Sequence, residues 1–371
     1  MKLKGKSILI ISNEPWGDVW YSKQNYAFEL SRNNQVLFLN PVKKWSPISI
    51  LTSRIRTTQY SDTLHILDYG NPLPVRTKQL DQWNNKIISK RLRKWIKKNH
   101  FNDYIVWTFD PHRLYDAKLL GARLGIFHYV DMYGPEHFGS HKLYDNSDVI
   151  LATSPKLIEG YSHYNKPTYH IPHGISKDEY IISADQLEKI KLPFKRYGLY
   201  TGAIDYRMDF SLVEKALKKF NHINFLFVGP VQLPETNDAA QRIFTEKKYP
   251  NALAIGPRHY KELKYFIHLA DFCISFLDVK HIPNTISNHK TLGYLAQGKP
   301  IFSPVFHAYK ELGDIIYMSN DHNELLELMD HYFKKGEDEI QPAKRIEYSK
   351  KYLFDKMLTD IGEHLSELLR E

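Results

Sequence analysis

The sequence has very little cysteine, since Cys273 is the only one in 371 residues. One thiol excludes a disulfide framework, and its place inside an apolar run suggests a buried side chain and a reducing cytoplasm. No apolar run approaches the length of about 18 residues that a transmembrane helix needs. The apolar run near the N-terminus passes directly into Asn13-Glu14-Pro15 without a small-residue cleavage site. This pattern favours a first buried strand over a signal peptide.

Motifs of several binding classes are also missing. The first loop lacks G-x-G-x-x-G, so it carries no dinucleotide fingerprint. The net charge is +9, but no zinc-ligand spacing, RNA-binding pattern or helix-turn-helix signature accompanies it. We therefore do not expect nucleic acid as a partner. A net positive charge without those motifs favours anionic lipid head groups and diphosphates as binding partners.

The length and the pattern of the chain predict two α/β domains. Apolar runs of strand length alternate with helical stretches in both halves, which is typical of parallel sheets with ligands at their carboxyl edge. The polar and charged segment 177–195 reads as a linker. We predict domains over 1–180 and 193–345, followed by a helical C-terminal segment over 346–371.

The most informative stretch runs from 284 to 304 and follows the apolar run 272–277. Its pattern predicts a helix that starts at about His289 and ends before Gly298, with a new strand from Ile301. Lys290 then lies in the first turn, where a cation opposes the helix dipole unless an anion is bound nearby. This arrangement favours phosphate binding. The alternative is an ordinary strand–helix unit with a surface lysine.

Acidic residues follow two predicted strands of the first half. Asp110 comes after 103–107, and Asp131 comes after 124–130. Because ligands bind at the carboxyl ends of parallel strands, both are candidates for a general base, with Asp131 first and Asp110 second. In the second half, Gly202 and Arg207 follow the strand 197–201. Glycine permits close approach of a ligand, and the guanidinium fork suits a diphosphate.

A strongly basic helix is predicted over 76–100. Its apolar residues fall roughly on one side, and they are Trp83, Ile87, Leu92, Trp95 and Ile96. One interpretation is a helix that lies on an anionic membrane surface. The other is an amphipathic helix packed on the sheet with a solvated basic face.

Five segments of the second half occur in a characteristic order, and a sixth precedes them. They are G-L-Y-T-G-A-I-D-Y-R at 198–207, F-L-F-V-G-P at 225–230, A-I-G-P-R-H-Y-K-E-L at 254–263, L-A-D-F-C-I-S-F-L at 269–277, K-T-L-G-Y-L-A-Q-G-K-P-I at 290–301, and H-I-P-H-G-I at 170–175. Together they resemble the GT-B glycosyltransferases that use nucleotide sugars, especially bacterial enzymes of capsule, exopolysaccharide and teichuronic-acid assembly.

The resemblance implies a GT-B fold, with two facing Rossmann-like domains and the active site in the cleft between them. It implies that the first domain binds the acceptor, that the second binds the donor, and that the last helix crosses back to the first domain. It implies no cofactor and no bound metal, with a UDP- or GDP-linked sugar as co-substrate. The implied diphosphate-binding residues are Gly202, Arg207, Asn288, His289, Lys290 and Thr291. The implied nucleobase-binding residues are Arg258, His259 and Tyr260.

The sequence departs from the resembled pattern at two positions. Gly293 stands where many relatives carry the glutamate that holds the donor ribose, and Thr285 stands where retaining relatives often carry a second glutamate. Recognition of the ribose and the sugar, and the stereochemistry of transfer, are therefore left open by the sequence.

The sequence as a whole predicts a cytoplasmic glycosyltransferase, with possible peripheral contact with the inner face of an anionic membrane. It would move a sugar to a hydroxyl of a lipid-linked or polysaccharide acceptor in cell-surface glycan synthesis. A sugar-nucleotide epimerase of the same fold is one alternative. A non-catalytic subunit of the same fold is the other, motivated by the missing glutamate.

Overall fold

The computed structural model describes residues 3–43, 45–46, 54–130, 140–159, 165–281 and 289–369. The chain forms two compact units. The first unit comprises Met1–Pro172 and Phe354–Glu371, and the second comprises His173–Leu353. The segment 177–195, which the sequence suggested as a linker, lies inside the second unit, and the division falls between Pro172 and His173.

The first unit is built on one sheet of eight strands in the order β3-β4-β2-β1-β5-β6-β7-β8. The strands are β1 (Ser7–Ile11), β2 (Gln35–Leu39), β3 (Arg56–Ser61), β4 (Leu64–Asp68), β5 (Tyr104–Thr108), β6 (Leu124–Tyr129), β7 (Val149–Ala152) and β8 (Thr168–His170). The pairings are parallel except for that of the edge strand β3 with β4.

The helices of the first unit cover both faces of this sheet. They are α1 (Ser22–Ser31), α2 (Lys78–Lys98), α3 (Ala117–Leu120), α4 (Ser140–Asn146), α5 (Lys156–Glu159) and, from the end of the chain, α13 (Phe354–His364). The central strands are apolar along their whole length because helices bury both faces, as parallel sheets require. In the described part of the chain, no helix is both long enough and apolar enough to span a membrane.

Three contacts hold the C-terminal helix in the first unit. The ring of Phe354 packs edge-on against Tyr26 at 5.0 Å, and His364 stacks on Tyr169 at 4.1 Å. A guanidinium nitrogen of Arg123 donates to the carbonyl oxygen of Leu369 at 2.7 Å. The final 18 residues therefore complete a core that the first 172 residues begin.

The helical C-terminal segment predicted over 346–371 is not one continuous helix. The structure has α12 (Gln341–Lys350) and α13, separated by 351–353. The break has a physical cause, because Leu353 forms a parallel bridge with Ile175 and the carbonyl of Tyr352 accepts a hydrogen bond from the Ile175 amide at 2.8 Å. A pairing over such a separation in sequence is invisible to local periodicity.

The second unit has a six-stranded parallel sheet in the order β11-β10-β9-β12-β13-β14. The strands are β9 (Gly198–Thr201), β10 (Phe225–Val228), β11 (Ala252–Ala254), β12 (Phe272–Ile274), β13 (Ile301–Ser303) and β14 (Tyr317–Met318). The helices are α6 (Ala184–Leu187), α7 (Phe210–Lys219), α8 (Asp238–Ala240), α9 (Tyr260–Leu269), α10 (His289–Ala296), α11 (His322–Lys335) and α12.

Two hydrophobic cores lie in the second unit. One includes Phe210, Phe227 and Phe272, and the other includes Tyr197, Leu292 and Leu295 of α10. Helix α10 starts at His289 as the sequence predicted, and it is followed by β13. Sequence reasoning thus located this helix correctly, because its apolar face and its terminal signals are local.

Candidate functional site

The loops that follow β9, β10 and β11 meet at the carboxyl edge of the second sheet. Gly202 and Gly229 both have positive φ, +127° and +156°. A Cβ on Gly229 would overlap the carbonyl oxygen of Gly202. The amide of Gly229 donates to the carbonyl of Gly256 at 3.0 Å, which joins the third loop to the second. Glycine is required here because the loops touch through their backbones.

Lys290 reaches this edge from the first turn of α10. Its Nζ lies 3.7 Å from the ring centroid of Tyr200, which is close enough for a cation–π interaction. A Cβ on Gly202 would lie 3.5 Å from the same Nζ. Among the described residues, no carboxylate forms an ion pair with Lys290. The ammonium group of Lys290 therefore lies against the backbone of Gly202, and no described carboxylate serves as its counter-ion.

The surroundings of Lys290 weaken its positive charge in the free protein. Burial lowers the pKa of Lys290 well below its ordinary value, and the guanidinium of Arg207 lowers it further, while Asp205 opposes both effects. An anion bound beside Lys290 would favour the charged form. The site is thus arranged for a ligand that brings negative charge.

Arg207 is held at this edge by Asp205. The guanidinium donates to both oxygens of the carboxylate, from Nε to Oδ1 at 2.9 Å and to Oδ2 at 3.2 Å, and from Nη2 to Oδ2 at 2.6 Å. The side chain of Arg207 remains 49% exposed. The bonds to Asp205 raise the pKa of Arg207, so the group stays charged. The second cation of the site is therefore oriented and still accessible to a ligand.

Tyr294 fixes α10 to the end of β9. Its buried hydroxyl accepts a hydrogen bond from the amide of Thr201 at 2.8 Å and lies 3.0 Å from the Thr201 hydroxyl. Tyr294 is one helical turn after Lys290, so this bond sets the height of the lysine relative to the Gly202 loop. Sequence reasoning missed Tyr200, Asp205 and Tyr294. The local signals were the spacing of Asp205 two residues before Arg207 and of Tyr294 four residues after Lys290.

The other residues that were predicted to bind phosphate differ in how the structure places them. Thr291 is 2% exposed, so its side chain faces the interior of the unit. His289 begins α10. Asn288 lies outside the described residues. At Gly293, an added Cβ would meet Ile267 Cδ1 at 3.5 Å, an ordinary van der Waals contact, so packing among the described residues does not require a glycine there.

The predicted nucleobase segment connects β11 to α9. The His259 Nδ1 caps the helix by accepting from the Lys261 amide at 3.3 Å, and its ring lies 4.8 Å from that of Tyr260. Arg258 is exposed. Strands β11 and β9 are two strand spacings apart, about 10 Å. This is a separation that a nucleoside diphosphate can span from its base to its phosphates.

The candidate bases of the first unit are placed as follows. Asp131 lies outside the described residues. Asp110 follows β5 and is buried, with Oδ1 accepting from the His112 amide at 2.9 Å and Oδ2 in an ion pair with Arg113. Arg113 also donates to the Tyr69 hydroxyl at 2.9 Å. Both oxygens of Asp110 thus have protein partners.

Solved structures show the class of the fold. No protein-family model and no curated protein matches the chain significantly. The similar structures named below nevertheless cover nearly the whole chain, and they are synthases with the GT-B fold. The chain therefore has the GT-B fold, and the fold predicted from the sequence is confirmed.

Three of the similar structures can be named. Sucrose-phosphate synthase from Thermosynechococcus elongatus matches with a TM-score of 0.68 at 14% identity, over 98% of this chain and 99% of the synthase. Trehalose-6-phosphate synthase from E. coli, bound with UDP-2-fluoro glucose, matches with a TM-score of 0.67 at 13% identity, over 98% and 99%. A UDP-forming α,α-trehalose-phosphate synthase from Burkholderia xenovorans matches with a TM-score of 0.65 at 12% identity, over 98% and 99%.

Proposed function

We propose that the chain is a glycosyltransferase that moves a sugar from a nucleotide-diphosphate donor to an acceptor hydroxyl. The observation that carries this proposal is a pair of cations at one sheet edge, Lys290 against Tyr200 and beside Gly202, and Arg207 against Asp205. The similar structures support a UDP-linked donor, since one is bound with UDP-2-fluoro glucose and another is described as UDP-forming.

The chemical role of the two cations is to stabilise the departing diphosphate. Negative charge grows on the bridging oxygen as the bond to the sugar breaks, and preoriented cations lower the energy of that state. The N-terminus of α10 adds the positive end of its dipole. We propose that these protein groups supply the positive charge that transfer requires, without a bound metal ion.

The proposed general base is Asp131, which would take the proton of the acceptor hydroxyl if the anomeric carbon is inverted. The proposed acceptor is a lipid-linked or polysaccharide glycan in cell-surface glycan synthesis. The basic charge of the first unit supports an anionic or membrane-bound acceptor. Sugar phosphates are the second candidate, because the similar structures are named as synthases of sugar phosphates.

Thermal unfolding with and without nucleotides tests the donor site. UDP at about 100 times its dissociation constant should stabilise the protein by about 2.7 kcal/mol. The variant Lys290→Met should lose this shift, and Lys299→Met is the matched control, because Lys299 lies beyond the other end of the same helix and donates to the carbonyl of His268. If neither UDP nor GDP stabilises the wild-type chain, the proposed function fails.

Turnover distinguishes the catalytic proposals. Asp131→Asn should abolish sugar transfer and leave the UDP shift unchanged, and undiminished transfer would contradict the assignment of the base. Incubation with the donor alone tests the epimerase alternative, which predicts a donor isomer without an acceptor. The choice between glycan and sugar-phosphate acceptors follows from which of them consumes the donor.

A further inference from the structure

Helix α2 has a solvent face that the fold of the first unit does not use. Its buried residues include Ile88, Leu92 and Ile96, which pack under the sheet. The helix contains eight basic residues and one acidic residue, Asp81, and so carries a net charge of +7 out of the +9 of the whole chain. The charge of this protein is therefore concentrated in 21 residues.

Most of this charge is not neutralised by the part of the chain that the structure describes. Six of the basic side chains are exposed and form no ion pair with a described residue, and they are Lys86, Lys90, Arg93, Lys94, Lys97 and Lys98. Asp81 is half-buried and accepts a hydrogen bond from Asn85 at 3.2 Å, so it is turned toward the core side of the helix. Mutual repulsion along this face is a cost that an anionic partner would remove.

Trp83 lies in line with this basic face, in the second turn of α2, and it is 58% exposed. The sequence suggested that Trp83 shares the apolar side with Leu92 and Ile96, and that prediction is wrong. At 100° per residue, Trp83 is opposite Leu92, and it is aligned with Lys90 and Lys94, seven and eleven positions further along. Packing within the first unit therefore does not explain a tryptophan at this position.

An exposed indole at one end of a row of basic side chains matches the interface of an anionic bilayer. Indole rings partition into the head-group region, and lysine stems extend along apolar surface while their ammonium groups stay with the phosphates. The α2 helix is about 30 Å long, so the whole face can lie flat on such a surface. A nucleic-acid duplex would offer phosphates to the lysines but nothing apolar to the indole.

We propose that the solvent face of α2, which carries Trp83 and the six exposed basic side chains, docks the protein on a bilayer of anionic lipids. This docking surface lies in the first unit, and the proposed donor site lies in the second. The inference does not depend on the proposed function, since a membrane-bound protein without transferase activity would use the same face. Failure of UDP binding therefore leaves the docking proposal untouched.

Co-sedimentation with vesicles tests the proposal on the full chain. The protein should bind vesicles of phosphatidylcholine mixed with phosphatidylglycerol, and it should bind pure phosphatidylcholine weakly. Each lysine near the lipid is expected to contribute about fivefold to the binding constant, so Lys90→Gln with Lys94→Gln should weaken binding by about 25-fold. Lys189→Gln with Lys191→Gln is the matched control, because it removes the same charge from exposed positions of the second unit.

Trp83 has its own readout. Brominated lipids should quench tryptophan fluorescence in the wild-type protein, and Trp83→Phe should remove most of that quenching although five other tryptophans remain. Equal loss of binding in the control pair would overturn the proposal, because it would show a diffuse charge effect. Binding to random-sequence DNA that is as tight as binding to anionic vesicles, and equally sensitive to Lys90 and Lys94, would also overturn it.

Discussion

Lys290 is the residue in which burial and charge conflict most directly. Its ammonium group lies on the Tyr200 ring and near the Arg207 guanidinium, and both burial and Arg207 lower its pKa. In the free protein, Lys290 therefore has a lowered pKa, which a bound diphosphate would raise. The conflict is a measurable signature of the site.

This signature predicts that UDP binding takes up a proton. A bound diphosphate raises the pKa of Lys290 toward its ordinary value, so affinity should fall as the pH rises through the range between the two pKa values. Titration of UDP by calorimetry between about pH 7 and pH 9 checks this, because phosphate groups with a second pKa near 6 are already ionised there. Lys290→Arg is the control variant, and it should bind UDP with a shallower dependence on pH. A pH-independent affinity in the wild-type protein would contradict the prediction.

At the scale of elements, α10 and β9 act together through one side chain. The Tyr294 hydroxyl is the acceptor for the Thr201 amide, and the lysine that precedes it by one turn lies over Tyr200 in the same strand. The helix and the strand therefore form one support for the cation. A substitution of Tyr294 should therefore change the affinity for the ligand, even though Tyr294 is not proposed to touch it.

Tyr294→Phe tests this support. The change leaves a buried amide without its partner, which should cost about 1–3 kcal/mol of stability. Affinity for UDP should fall as well, because Lys290 loses its fixed height. Tyr197→Phe is the matched control. Tyr197 is also buried and immediately precedes β9. Its hydroxyl donates to the Phe266 carbonyl at 2.8 Å, at the opposite end of that strand. If both variants weaken UDP binding equally, Tyr294 has no special positioning role.

Local patterns were enough to predict some elements and not others. The start of α10, the βα alternation and the placement of Lys290 follow from residues close together in sequence. Trp83 was assigned to the wrong face because its exposure is set by what α2 packs against. Asp205 and Tyr294 were missed because their partners lie across a loop or on another element.

At the scale of the molecule, the two units differ in how the chain builds them. The second is continuous in sequence from His173 to Leu353, and it contains the described residues of the proposed donor site. The first is assembled from both ends of the chain. The two units should therefore respond differently to loss of the C-terminus.

Deletion of 354–371 should destabilise the first unit and leave UDP binding intact. It removes Phe354, whose buried ring contacts Tyr26, and substitution of a buried Phe by Ala alone typically costs 3–5 kcal/mol. Differential scanning calorimetry with and without UDP checks this, with Phe354→Ala as the smaller version of the same change. If the truncated protein unfolds in a single transition whose temperature no longer rises with UDP, the second unit depends on this helix.

The return of the last helix to the first unit has a consequence for biosynthesis. Residues 1–172 leave the ribosome before residues 354–371, so their core lacks Phe354 and His364 until the intervening residues 173–353 have been translated. At about 5–20 residues per second, the intervening second unit delays completion by roughly 10–40 s. During that time the surfaces around Tyr26 and Tyr169 are uncovered. The nascent chain should thus depend on chaperones until its final segment emerges.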